Sequence, residues 1–134
     1  MARIILAEDD DIVGELVVNH LMDAGHAVGW LQNGDEALSV IRRKIPDLVI
    51  LDHHMPERSG RDVLREMRKE EDLVLVPVLM LTAMSGKTDE DIAFYEGADD
   101  FMTKPFSPRD LEARVEALLK KSRRVLSQAL AGRD

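Results

Sequence analysis

Five short apolar runs, separated by longer stretches with a helical stripe, set the strongest limit on how this chain folds. The runs fall at about residues 3–7, 27–31, 48–51, 77–81 and 100–103. Alternation of this kind is the pattern of repeated strand–helix units. Leu48-Val49-Ile50-Leu51 has no polar break, as expected of a strand covered on both faces. Right-handed crossovers then predict a doubly wound α/β fold with helices on both faces. For five units the flavodoxin-like strand order 2-1-3-4-5 is expected, with a ligand crevice where the order reverses, between strands one and three.

The intervening stretches carry their own start and stop signals. Ile12, Leu16, Val17, His20, Leu21 and Ala24 recur at helical spacing, and Gly25 ends that stretch. Asn33-Gly34 is read as a turn before a helix with Ala37, Leu38 and Ile41, closed by Pro46. Residues 55–60 form a loop before Val63, Leu64 and Met67. A fourth helix carries Ile92, Ala93 and Tyr95 and stops at Gly97. The last begins near Ser107-Pro108, a cap followed by a first-turn proline, and its stripe runs from Leu111 through Val115, Leu118, Ser122 and Val125 to Ala129. This predicts one domain over residues 1–121 and a helical extension or tail over 122–134.

Composition narrows the class. A chain of 134 residues closes one real core. No apolar run approaches the ~20 residues of a membrane span. The first residues turn acidic too early for a secretory leader, and cysteine is absent, which fits a cytoplasmic protein. The net charge of −8 argues against direct nucleic-acid binding, which rests on neutralising phosphates. The basic cluster from Lys120 onward is read as a solvated helix end suited to the helix dipole.

The residues at the carboxyl ends of these runs are chemically specific. The first run ends on Glu8-Asp9-Asp10, the third on Asp52, the fourth on Thr82 and the fifth on Lys104-Pro105. Parallel neighbours would bring these together. Carboxylates converging without His or Cys suit a hard, oxygen-seeking ion such as Mg²⁺. One of the three acids at 8–10 is expected to cap the first helix and two to serve the site. A carboxylate beside a metal can act as a nucleophile toward phosphorus, which makes Asp52 a candidate for an aspartyl phosphate. Lys104 would supply a positive charge for one phosphoryl oxygen and Thr82 a hydrogen bond for another.

The segments at 5–10, 33–38, 46–56, 81–83 and 97–106 together resemble the receiver domain of bacterial two-component response regulators, over about residues 2–121. The resemblance implies that Asp52 takes a phosphoryl group from a phosphohistidine on a sensor histidine kinase or histidine phosphotransfer protein. It implies Mg²⁺, with Mn²⁺ as a substitute, held by Asp9, Asp52 and the backbone carbonyl of His54, with Glu8 acting largely through water. It makes Thr82 and Lys104 the phosphoryl-sensing residues and Lys104–Pro105 a cis peptide. It also implies a switch in which Thr82 moves and the aromatic Phe101 swings inward. Many relatives carry Tyr at that position, so a signal read through an outward phenol is excluded here. The responsive face, and an expected dimer surface, is formed by the fourth helix, the fifth strand and the last helix.

Around the crevice the reading is more specific to this chain. Side-chain alternation allows at most one of His53 and His54 to face the site. His54, with Met84 and Ala83, is placed at the rim, where it would tune phosphoryl lifetime; a metal-ligand role for the imidazoles is the minor reading. Trp30 is read as packing away from the crevice. Two other functions stay open: an interaction domain of this fold that ignores the state of Asp52, and a flavin-binding flavodoxin-like protein, disfavoured by the acidic first turn.

Overall fold

The computed structural model describes residues 1–83 and 96–131, without the side chains of 124–127 and 129–131. Strands β1 (Arg3–Ala7), β2 (Ala27–Leu31), β3 (Leu48–Asp52), β4 (Val78–Thr82) and β5 (Asp100–Thr103) pair in parallel in the order β2-β1-β3-β4-β5. Helices α1 (Asp11–Asp23), α2 (Gly34–Lys44), α3 (Gly60–Lys69) and a C-terminal helix (Pro108–Ala131) connect or follow them. The expected fold and strand order are therefore present. The stretch with Ile92, Ala93 and Tyr95, and Met84, lie outside the described residues.

The sheet separates two apolar layers. On one side Val17 and Leu21 of α1 meet Leu111, Val115 and Leu118 of the C-terminal helix over Ile4, Leu6, Ile50 and Leu79. On the other, Leu38 and Ile41 of α2 and Val63, Leu64 and Met67 of α3 pack on Ile5, Val49, Leu51 and Met80. Every residue of β3 and β4 is buried, which is why those runs are almost continuously apolar. Each such large side chain contributes about 1.5–3 kcal/mol when fully buried, so these two strands form a rigid floor under the crevice.

Local chemistry sets the helix starts. Asp10 is the capping acid: its side chain accepts from the Ile12 and Val13 amides, so it is engaged in the helix rather than the site. Asn33 does more than turn the chain. It caps α2 by accepting from the Glu36 amide, and Gly34 is already the first helical residue. A Cβ on Gly34 would run into the Arg58 backbone, so glycine lets the 55–60 loop lie against α2. Ser59 caps α3 in the same way, and Ser107 accepts from the Asp110 amide at the start of the C-terminal helix. That helix continues unbroken past residue 121.

Candidate functional site

The register fixes which side chains meet. Ala7 lies opposite Leu51 across β1 and β3, so Glu8 and Asp52 leave adjacent strand ends side by side. Asp52 lies opposite Leu81, and Thr82 opposite Thr103. The carbonyls of β4 tie the row together: Leu81 accepts from the His53 amide at 2.9 Å and Thr82 accepts from the Lys104 amide at 2.7 Å. Gly60 donates to the His53 carbonyl, and a Cβ there would collide with the Asp52 carbonyl, so the return of the chain into α3 presses directly on the strand end. The Lys104–Pro105 peptide is cis.

Glu8, Asp52 and Thr82 are buried and Lys104 is mostly covered, whereas Asp9 is exposed. The Lys104 Nζ lies 2.5 Å from Glu8 Oε1 and 3.3 Å from Asp52 Oδ1. Burial, first, pushes the Asp52 carboxyl up to about 8; a hydrogen bond and the negative charge of Glu8 push the same way, and Lys104 opposes them. Burial disfavours the Lys104 charge, but the hydrogen bond to Glu8 and the charges of Asp52 and Glu8 outweigh it. Its ammonium is held above the usual lysine range.

One carboxylate oxygen from each of Glu8, Asp9 and Asp52 lies within 4.8 Å of the others. An octahedral Mg²⁺ spans about 4 Å between opposite oxygens, so small side-chain adjustments bring these hard donors to one ion. Burial and the Glu8 charge, which raise the Asp52 pKa, are both effects that a bound divalent cation would offset. The acids gathered here therefore fit a divalent metal, and the neighbouring hydroxyl and ammonium fit an oxyanion.

Other expectations are revised. His53 and His54 do not diverge to opposite faces: their rings meet edge to face with centroids 4.5 Å apart. β3 ends at Asp52, and alternation holds only while the strand continues. His54 is exposed and His53 partly covered, and Ala83 is exposed at the bend after β4. Phe101 is half-buried and packs against the layer that holds Met80 and Val63. Trp30 packs as expected, but it is not remote from the crevice, because its indole N–H donates to the Glu8 carbonyl at 2.8 Å. The signal for this lay in the pairing of β1 with β2, which sets Trp30 opposite Leu6, two residues before Glu8.

Comparison with known proteins matches this architecture. A family model of the response regulator receiver domain covers residues 4–116. The chain is 40% identical over 119 residues to the "Probable transcriptional regulator ycf27" of Porphyridium aerugineum, covering 89% of this chain and 48% of that protein. It is 37% identical over 120 residues to the alkaline phosphatase synthesis transcriptional regulatory protein PhoP of Bacillus subtilis, covering 90% and 49%. The chain thus spans about half the length of these curated relatives. The BeF3-activated N-terminal receiver domain of Klebsiella pneumoniae RstA is 32% identical, with a TM-score of 0.81 over 87% of this chain and 97% of that one. Among the described residues no helix is long and apolar enough to cross a membrane. On its strand order, the polar ends of β1, β3, β4 and β5, and these matches, the chain belongs to the receiver domains of response regulators.

Proposed function

We propose that Asp52 accepts a phosphoryl group from a phosphohistidine of a partner histidine kinase or phosphotransfer protein. The observation that carries this is the buried Glu8–Asp52–Lys104 cluster with Thr82 beside it at one edge of the sheet. An Asp52 oxygen attacks phosphorus, a P–O bond forms, and the P–N bond breaks as the imidazole leaves. Glu8, Asp9, Asp52 and the His54 carbonyl are the residues that would hold Mg²⁺ or Mn²⁺, which would supply positive charge to the nucleophile and the incoming oxygens. Lys104 exchanges its carboxylate partner for a phosphoryl oxygen, and Thr82 donates to another. His54, Ala83 and Met84 set access for the attacking water. The unit that does this spans 1–121, with 122–134 as an extension; Lys120 and Lys121 are exposed directly after the buried Leu118 and Leu119.

The output would be a change on the face built from the fourth helix expected from the sequence, β5 and the C-terminal helix, with Phe101 as its aromatic element and self-association as one result. This unit neither binds nucleic acid nor enters a membrane, and works in the cytoplasm. A second reading, an interaction domain indifferent to Asp52, draws on the packing of Phe101 against the α3 side. Incubation with Mg²⁺ and a small phosphodonor, followed by intact-mass measurement, is expected to give one phosphate-sized adduct on wild type and none on Asp52→Asn. An equal adduct on that variant overturns the assignment. Equal partner affinity with and without a beryllofluoride mimic would select the second reading.

A further inference from the structure

The edge strand β2 and the residue after it hold the acidic turn after β1 by three hydrogen bonds. Glu8 N–H donates to the Leu31 carbonyl at 3.0 Å, the Trp30 indole N–H donates to the Glu8 carbonyl at 2.8 Å, and the Gln32 amide donates to Asp11 Oδ1 at 2.6 Å. The first completes the strand ladder. The second has a different character. β2 ends at Leu31, so no ladder amide remains for the Glu8 carbonyl. A backbone acceptor at a covered strand end needs a partner, and the indole supplies it.

Gly14 of α1 makes room for the indole. A Cβ at that position would clash with the Trp30 six-membered ring, closest to its Cζ2. Gly14 is buried in the first turn of α1, where glycine lowers helix propensity relative to alanine. The ring is half-buried against the apolar layer under α1, so it has one place to sit and one direction in which to point its N–H.

We propose that Trp30 is a positioning residue for the metal-binding acids, a role that rests on the crevice being a divalent-metal site. The Glu8 carbonyl and the Asp9 amide belong to one planar peptide. Fixing that plane through the carbonyl fixes where both side chains depart, Glu8 into the crevice and Asp9 over its mouth. The indole is thus a hydrogen-bond partner one step behind the ligands. Loss of such partners weakens metal binding by about 10–100-fold in other sites. A ring that served only as packing would affect folding and leave the metal midpoint unmoved.

The test compares wild type with Trp30→Phe, which keeps an aromatic ring and removes the donor. A second protein carries benzothienylalanine at position 30, the same bicyclic shape with sulfur in place of N–H. Mg²⁺ affinity is read by titration calorimetry, and exchange of the Asp9 and Asp10 amides is followed in metal-free protein, with thermal midpoints as the folding reference. The expected result is Mg²⁺ binding weakened about tenfold and faster exchange at those two amides in both altered proteins, with β3 protection unchanged. Equal Mg²⁺ affinity in wild type and in the benzothienyl protein overturns the proposal even if Trp30→Phe misfolds. A wild type that takes no Mg²⁺ overturns the metal site, and the positioning role with it; the wild-type titration alone separates that failure from the first.

Discussion

Two ionic clusters in this fold, one in the crevice and one along α3, have opposite electrostatic characters. In the crevice, two buried acids share one cation, and the Asp52 carboxyl is pushed up by burial and by Glu8. Along α3, Arg61 and Arg65 both reach Glu96, at 2.6 and 2.7 Å, and hydrogen bonds from Arg61 lead the causes that hold its carboxyl below the usual range. Arg68 continues that row. It donates to the carbonyls of Gly97, Leu73, Val74 and Val76 and pairs with Asp99 at 2.9 Å. The α3 cluster satisfies its charges within the fold and ties 96–99 to the helix. The crevice gathers three carboxyl groups around the single ammonium of Lys104, and the Asp52 pKa rises in response. Reactive sites and structural ionic clusters are separated by that balance, not by the number of charges.

The largest expected effect is in the satisfied cluster. The Arg68 guanidinium is mostly covered, and Asp99 also accepts from the Val78 amide that opens β4. Gly97, at φ 105° and close under the Arg68 stem, lets the chain approach it. Arg68→Met keeps the stem and removes the donors, leaving four carbonyls and a partly buried carboxylate without their cation. A loss of about 3 kcal/mol in urea unfolding is expected. A loss under about 1 kcal/mol would show that water replaces the guanidinium and that this cluster is as incomplete as the crevice.

The next effect distinguishes the clusters by sign. Asp52 has a folded pKa of about 8 against an ordinary value of 3.8. Between those values the unfolded chain gives up its proton first and the folded state keeps it, so metal-free stability falls as pH rises through that window. The slope cannot exceed about 1.4 kcal/mol per pH unit, and a total fall of about 2 kcal/mol is expected once other groups respond. Asp52→Asn should flatten it, and Mg²⁺ should restore stability at the alkaline end in wild type only. Chemical denaturation across the window, with and without Mg²⁺, measures both. A wild type whose metal-free stability rises over the same range would mean that Lys104 already balances the crevice.

The two clusters also differ in how far they could be read from sequence. Asp52 and Thr82 interrupt or end apolar runs that the sheet buries completely, so their strand ends stand out by pattern alone. Lys104 stands out through the proline beside it. Arg61, Arg65 and Arg68 read as the solvent face of an amphipathic helix, because nothing local shows that 96–99 returns to them. Their partners lie about thirty residues away, and only the sheet order brings them near. Trp30 and Gly14 fail for a related reason: a tryptophan at a strand end and a glycine in a helix each have an ordinary local meaning. Their joint meaning needs the register of β1 with β2. The paired imidazoles of His53 and His54 escape the alternation rule because both lie past the last strand residue, Asp52.

The smallest effect tests whether the α3 cluster is a sum of pairs. Arg65 is nearly half exposed and reaches both Glu96 and, at 3.4 Å, Asp62. Without it, Glu96 still takes two hydrogen bonds of 2.6 Å from Arg61. Solvent screens the lost pair, so Arg65→Ala should cost about 0.5 kcal/mol. Joined to Arg68→Met, it should add within about 0.5 kcal/mol if the two contacts on 96–99 are independent. Coupling above about 1 kcal/mol would mean that the arginines hold that segment as one unit, so that α3 and the approach to β5 loosen together. In that case the contrast with the crevice would lie in cooperativity as well as in charge balance, since the segment tied by α3 leads directly into Phe101 and Lys104.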